Sequence, residues 1–334
     1  MNHLLEVDNL HVQFDTPQGP ASAVDGASFH ISHGETLGLV GESGCGKTVT
    51  SLSILGLIPS PPGYIKADRI LFKGRNLLNL SSEDVRKIRG REIAMIFQEP
   101  MTSLNPVLPI GRQVAEPLIA HQGISKAKAF QEAIKWLDHV KIPESRRRLY
   151  DYPHQLSGGM RQRIMIAMAM VCHPQLLIAD EATTALDVTI QAQILSLIAG
   201  LKEELNMSVL LITHDLGVVA QMADRVLVMY AGEIVEEADV MSLYDRPFHP
   251  YTEGLLRSMP TLDKQIGDKP HRLTEISGIA PCTTGLTQGC KFADRCPFAF
   301  PLCSEKHPEL LEVKDGQRAR CWLRDYPEKR RYHD

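Results

Sequence analysis

The run GESGCGKT, Gly41 to Thr48, matches the pattern G-x-x-x-x-G-K-[ST]. Glycines at 41, 44 and 46 let the backbone curl, so that successive N–H groups point at phosphate oxygens. A helix opening near Lys47 adds its positive end to that cradle. Lys47 is placed to reach β- and γ-phosphates, and Thr48 to offer a hydroxyl to Mg²⁺. Ser43 and Cys45 fill variable positions, and Cys45 reads as filler, not as a catalytic thiol. A second run, LLIADE from Leu176 to Glu181, supplies the acids that such chemistry needs. Asp180 emerges at the carboxyl end of an apolar strand, where it can hold Mg²⁺ through water. Glu181 follows as the candidate general base for an attacking water.

These groups need a scaffold. Glu35–Gly41, Leu176–Asp180 and Ser208–Thr213 are short, unbroken apolar runs, the pattern of parallel strands covered on both faces. Between the last two, Ile190, Ile194, Ile198, Leu201 and Leu205 recur on one helical face. Strand, helix, strand predicts a right-handed crossover, so the expected fold is an α/β nucleotide-binding core. From about 99 to 163, helical patterns such as KAKAFQEAIKWLDHV replace strand patterns, which predicts an inserted helical subdomain. From about Asp245 prolines and loops dominate. The expected division is therefore 1–244 and 245–334, the second part having a small core at best and needing a staple.

The chain of 334 residues is 43% hydrophobic and 23% charged, ordinary for a soluble globular protein. A net charge of −4 argues against nucleic acid as a bulk electrostatic partner. MNHLLEVDNL has no basic leader pattern, and no window of about 18 apolar residues occurs, so residence in the cytosol with reduced thiols is expected. Five of the seven cysteines lie between Cys282 and Cys321. Cys290, Cys296, Cys303 and Cys321 are spaced C-x₅-C-x₆-C-x₁₇-C, and four thiolates can hold zinc or an iron–sulfur cluster. Structural zinc favours tighter pairs; the wider gaps suit a larger cube, with unligated thiols as the third reading. Cys282 falls outside the pattern and is left free.

The run LSGGMRQR, Leu156 to Arg163, resembles the signature motif of the ATP-binding-cassette (ABC) ATPases. A second anion cradle is of no use to one nucleotide in one subunit. The resemblance implies a head-to-tail dimer, in which Ser157, Gly158 and Gly159 close on ATP held by the partner's phosphate loop. It further implies that Phe14 stacks on adenine and that Gln98, in FQEP, contacts Mg²⁺ and the lytic water. Ala185 to Asp187 match the D-loop, and His214, in ITHD, contacts the γ-phosphate. Met160 replaces the frequent Gln, and Ala182 the usual Pro, which frees φ just after Glu181.

The tail is similar to the C-terminal segment of oligopeptide, dipeptide and nickel importer ATPases, in RPFHPYTEGLLRSMP and in the cysteine pattern. That likeness implies an ATPase subunit on the cytoplasmic face of a bacterial inner membrane, powering uptake of di- and oligopeptides. Its implied partners are a second ABC ATPase, favoured as a paralogue, two transmembrane permease subunits and an extracytoplasmic solute-binding protein. It also implies a 4Fe–4S cluster on Cys290, Cys296, Cys303 and Cys321. Nickel, opine or glutathione substrates would leave the same ATPase role. A cassette acting in translation or repair fits poorly: one cassette is present, and about 110 residues without sustained heptads separate Lys47 from Ser157. A kinase has no use for the second cradle.

Overall fold

Leu176–Asp180 forms a strand buried at every residue, as its unbroken apolar run predicts. The computed structural model that places it describes residues 3–98, 103–182, 187–259, 276, 278, 288–314 and 316–330. The chain divides into two compact units. One comprises Met1–His3, Ile31–Thr36 and Asn76–Ile212; the other Leu4–His30, Leu37–Arg75 and Thr213–Asp334.

In the first unit, Leu176–Asp180 pairs in parallel with Ile93–Ile96 on one side and with the strand Ser208–Thr213 on the other. The crossover between the last two is the helix Val188–Leu205, which buries Ile194, Leu195, Ile198 and Leu201. Asp187 caps it, its Oδ1 accepting from the Ile190 N–H at 2.9 Å. The helical subdomain contains Ile110–Gln122, Lys126–His139, Ser145–Arg148 and Gly158–Met170. Lys126–His139 starts where Ser125 accepts from the Lys128 N–H, and buries Ala129, Ala133 and Leu137, which the helical repeat stacks on one face.

In the second unit, Leu5–Thr16 pairs antiparallel with Gly63–Lys66 and Arg69–Phe72. Arg225–Tyr230 runs parallel to Leu37–Val40 and antiparallel to Glu233–Asp239. Gln317–Ala319, from the tail, pairs on the far edge of Glu233–Asp239, and Leu311–Lys314 pairs beyond it. The tail also shares its apolar residues. Tyr251 and Phe292 belong to the cluster of Val226, Val228, Tyr230 and Leu243. The Tyr230 ring lies 4.7 Å from that of Tyr251 and 5.1 Å from that of Phe292. Among the described residues, two of the tail's large rings therefore join the apolar cluster of the unit's strands. Loops too short to bury large rings between themselves bury them against the strands of the unit instead.

The helix Pro250–Arg257 opens on Pro250, whose missing N–H costs nothing there. His249 caps it, Nδ1 accepting from the Tyr251 N–H at 3.1 Å. Glu236 accepts from the N–H groups of Phe248 and His249 at 2.7 and 2.8 Å and from Gln317 Nε2 at 2.7 Å, which ties the helix entry to the sheet. Among the described residues no helix is long and apolar enough to cross a membrane.

Candidate functional site

The strand Thr36–Val40 is fully buried and delivers the chain into Gly41. Gly41 and Gly46 are at φ +154° and +109°. A Cβ on Gly41 would stand 2.2 Å from the Met229 carbonyl oxygen, and one on Gly46 2.4 Å from that of Ala23. Both conformation and space therefore demand glycine. Gly46 caps the helix Lys47–Ile54 without any side-chain acceptor, which leaves the first-turn N–H groups to an anion. Lys47, only 5% exposed, donates through Nζ to the carbonyls of Gly41 at 2.8 Å and Glu42 at 2.9 Å. Ser43, Gly44 and Thr48 are exposed along the lip of the loop. Cys45 is buried, and that burial pushes its thiol up, so it is no nucleophile.

A cavity of about 320 Å³ is lined by Gly41, Glu42, His214, Leu216, Leu255 and Ser258. It brings the exposed His214 and the first residues of the loop to one space. Phe14 is half-buried opposite Gly63, where a Cβ would stand 3.0 Å from its ring.

In the first unit, Asp180 is 1% exposed at the end of its strand and Glu181 is 8% exposed. Glu181 lies at φ +46°, and its N–H donates to the Ile212 carbonyl at 2.8 Å. Gln98 Nε2 donates to Glu181 Oε2 at 2.7 Å. At Ala182 the backbone is held: Gln162 Nε2 donates to the carbonyl of this buried residue. A proline at 182 would restrict the residue before it to extended backbone; Ala182 imposes no such limit on Glu181.

The helix Gly158–Met170 is capped by Ser157, whose Oγ accepts from the Met160 N–H at 3.3 Å. That contact uses Met160's backbone, so the departure from Gln leaves the cap intact. Ser157 and Gly158 are exposed. A Cβ on Gly159 would approach the Ile190 side chain to 3.1 Å, so the signature turn packs tightly on the following helix. Of the D-loop, Ala185 and Leu186 lie outside the described residues, as do Glu99 of FQEP and Cys282.

Cys290, Cys296, Cys303 and Cys321 all lie within reach of one another's charge. The Cys321 thiol is pushed up to about 12 by burial, and the other three add to the shift. Burial pushes Cys290 to about 12 and Cys296 to about 11. The Cys290 N–H donates to the Cys303 carbonyl at 2.7 Å. At Gly289 a Cβ would stand 2.3 Å from that same carbonyl oxygen, so the crossing of the two strands of chain requires glycine. Among the described residues no group of three or more His, Cys, Asp or Glu side chains could hold a metal ion.

Three side chains that sequence reasoning passed over touch the site residues. Gln162 holds Ala182. Tyr251 Oη accepts from the Glu42 N–H at 2.8 Å, and Arg295 pairs with the Glu42 carboxylate. Tyr251 sits in the run RPFHPYTEGLLRSMP and Arg295 between Cys290 and Cys296, but a contact across 209 or 253 residues leaves no mark in spacing.

Residues 24–184 match the family described as ABC transporter, and residues 235–303 match the oligopeptide/dipeptide transporter C-terminal region. The chain belongs to the ATP-binding proteins of ABC transporters, in the branch that carries this C-terminal region. It is 53% identical to the probable peptide ABC transporter ATP-binding protein y4tR of Sinorhizobium fredii, over 96% of this chain and 94% of that one. It is 53% identical to the oligopeptide transport ATP-binding protein AppD of Bacillus subtilis, over 97% of each. The dipeptide transport ATP-binding protein DppD of Bacillus subtilis is 50% identical, over 97% of this chain and 96% of the relative. Among solved structures, the dimeric ATP-binding cassette MJ0796 bound to ADP and phosphate superposes with a TM-score of 0.63 at 26% identity, covering 71% of this chain and 98% of that one. The fold is the P-loop ABC ATPase fold, and the chain is an ATP hydrolase of that class.

Proposed function

We propose that this chain hydrolyses ATP to power the import of di- and oligopeptides through separate membrane subunits. The observation that carries the reading is the 235–303 match to the oligopeptide/dipeptide transporter region on the same chain as the phosphate loop. Gly41, Ser43, Gly44, Cys45, Gly46, Lys47 and Thr48 take the phosphates of ATP, and Phe14 takes the adenine face. The residues fit Mg²⁺ by donor type: the hydroxyl of Thr48, the amide oxygen of Gln98 and the carboxylate of Asp180 are the hard oxygen ligands it takes. Mg²⁺, if held by these groups, would supply charge neutralisation on the phosphates. Glu181, aimed by Gln98, accepts the proton of the attacking water, and His214 contacts the γ-phosphate. Ser157, Gly158 and Gly159 serve the nucleotide of a partner ATPase, read as a paralogue.

Two permease subunits and an extracytoplasmic binding protein complete the assembly, with this chain peripheral on the cytoplasmic face of the inner membrane. The 1–244 segment acts as the nucleotide-binding part and 245–334 as the transporter-type tail. A 4Fe–4S cluster on Cys290, Cys296, Cys303 and Cys321 rests on their C-x₅-C-x₆-C-x₁₇-C spacing and on the likeness of the tail, since the described residues themselves present no metal-holding group. Such a cluster would supply folding free energy to a loop-rich segment.

Uptake tests the substrate. A strain lacking this chain should lose accumulation of labelled di- and tripeptides, and regain it on complementation. Unchanged peptide uptake together with lost nickel or glutathione uptake would overturn the peptide reading and keep the ATPase.

A further inference from the structure

Glu42 is the second residue of the phosphate loop and carries a carboxylate into a loop built for a polyanion. A free negative charge there would repel phosphate. The structure holds it on every polar group. Arg295 Nη1 donates to Glu42 Oε2 at 2.8 Å, and Nη2 to Oε1 at 2.9 Å, a bidentate pair. The Arg295 side chain is 7% exposed. Its guanidinium lies 5.6 Å from the Tyr230 ring centroid and 6.0 Å from that of Phe292. Nη2 also donates to the Ile276 carbonyl at 3.3 Å, so the fork cannot swing away without loss. The Glu42 N–H is taken by Tyr251 Oη at 2.8 Å, and Tyr251 is fully buried. The Glu42 carbonyl accepts from Lys47.

Arg295 lies between Cys290 and Cys296, and Tyr251 in the Pro250–Arg257 helix. Both belong to the tail. We propose that Arg295 and Tyr251 are positioning residues for nucleotide binding: the tail neutralises Glu42 and fixes the entrance of the phosphate loop in its binding shape. Neither touches nucleotide. They remove the repulsion of the Glu42 carboxylate, and they remove the need to order the loop when ATP arrives. The inference rests on the phosphate-loop reading of Gly41 to Thr48.

The test is Mg–ATP titration of the full-length chain by calorimetry, wild type against Arg295→Ala, Arg295→Lys, Glu42→Gln, Arg295→Ala/Glu42→Gln and Lys47→Ala. Losing a charge-assisted bidentate pair should weaken ATP roughly tenfold in Arg295→Ala. Arg295→Lys, which keeps charge but loses the fork, should fall between. The double variant should bind more tightly than Arg295→Ala alone, because it removes the carboxylate that Arg295 neutralised. A merely structural role for Arg295 predicts no such rescue. Arg295→Lys and Glu42→Gln keep the question answerable if Arg295→Ala does not fold. Loss of binding in Lys47→Ala with wild-type affinity in every Arg295 variant would overturn the clamp and keep the ATP site. Wild-type binding in Lys47→Ala would overturn the phosphate-loop reading itself.

Discussion

Gln98 Nε2 donates to Glu181 Oε2 at 2.7 Å, so one side chain of the first unit aims the carboxylate of another. Glu181 has little freedom besides: its N–H is bonded to the Ile212 carbonyl, and the next carbonyl accepts from Gln162. Glu181→Gln keeps size and hydrogen bonding but cannot accept a proton. Turnover should fall by about 10²–10⁴-fold, the range for loss of a general base, while ATP binding persists. Gln98→Ala should cost less, because the carboxylate stays but loses its aim. Single-turnover hydrolysis and nucleotide filter binding separate the two effects; normal hydrolysis by Glu181→Gln would place water activation elsewhere.

Lys47 Nζ lies against the carbonyls of Gly41 and Glu42. Lys47→Ala removes the loop's own positive side chain and these two carbonyl contacts together. ATP turnover in the assembled complex should drop on the order of 100-fold or more, as for loss of a transition-state charge clamp. Steady-state phosphate release measures it, and undiminished release would remove Lys47 from the site.

Ser157 and Gly158 are exposed at the opening of their helix, in keeping with a cradle that serves another subunit. Specific turnover should then rise with protein concentration and fall on dilution. His214→Ala should slow turnover at every concentration. Efficient hydrolysis by a chain held monomeric at high dilution, checked by light scattering, would contradict shared sites.

The four tail cysteines lend themselves to a chemical assay. Anaerobically purified protein should be brown and hold about four irons per chain. Cys290→Ser or Cys303→Ser should lose colour and thermal stability together. A colourless protein with one zinc would replace the cluster but keep the staple. Metal-free protein whose serine variants melt at the wild-type temperature would remove both.

His249 gives a pH dependence with a definite sign. Burial, with the charges of Arg320 and Arg330, pushes its imidazole down to about 3 from an ordinary 6.5. In that window the unfolded chain binds the proton and the folded chain does not. Its contribution is therefore intact above 6.5 and is lost as pH falls toward about 3, at about 1.4 kcal/mol per pH unit. Urea midpoints at pH 7 and pH 5 should differ accordingly, and His249→Asn should flatten the difference. An equal acid slope in the variant would assign it to other groups.

The local part of the fold was legible. The strands at Leu176 and Ser208 and the helix between them follow from apolar runs and a helical repeat, which are short-range signals. The loop glycines follow from backbone conformation. What escaped depends on distant packing. The tail reads as loops because prolines break its periodicity. Yet Tyr251 and Phe292 bury against Tyr230, and Gln317–Ala319 pairs with Glu233–Asp239. Spacing likewise cannot say that Arg295, between two cysteines, reaches Glu42.

That last pair has a consequence in time. Glu42 and Arg295 are separated by 253 positions, and synthesis proceeds from the amino end. At ordinary translation speeds Glu42 precedes its partner by on the order of 10–50 s. Throughout that interval the nascent chain carries a phosphate loop with an unneutralised carboxylate. A chain whose translation stops before Arg295 leaves the ribosome without the contact that readies it for ATP. Only a chain whose tail is complete through Arg295 can form that pair.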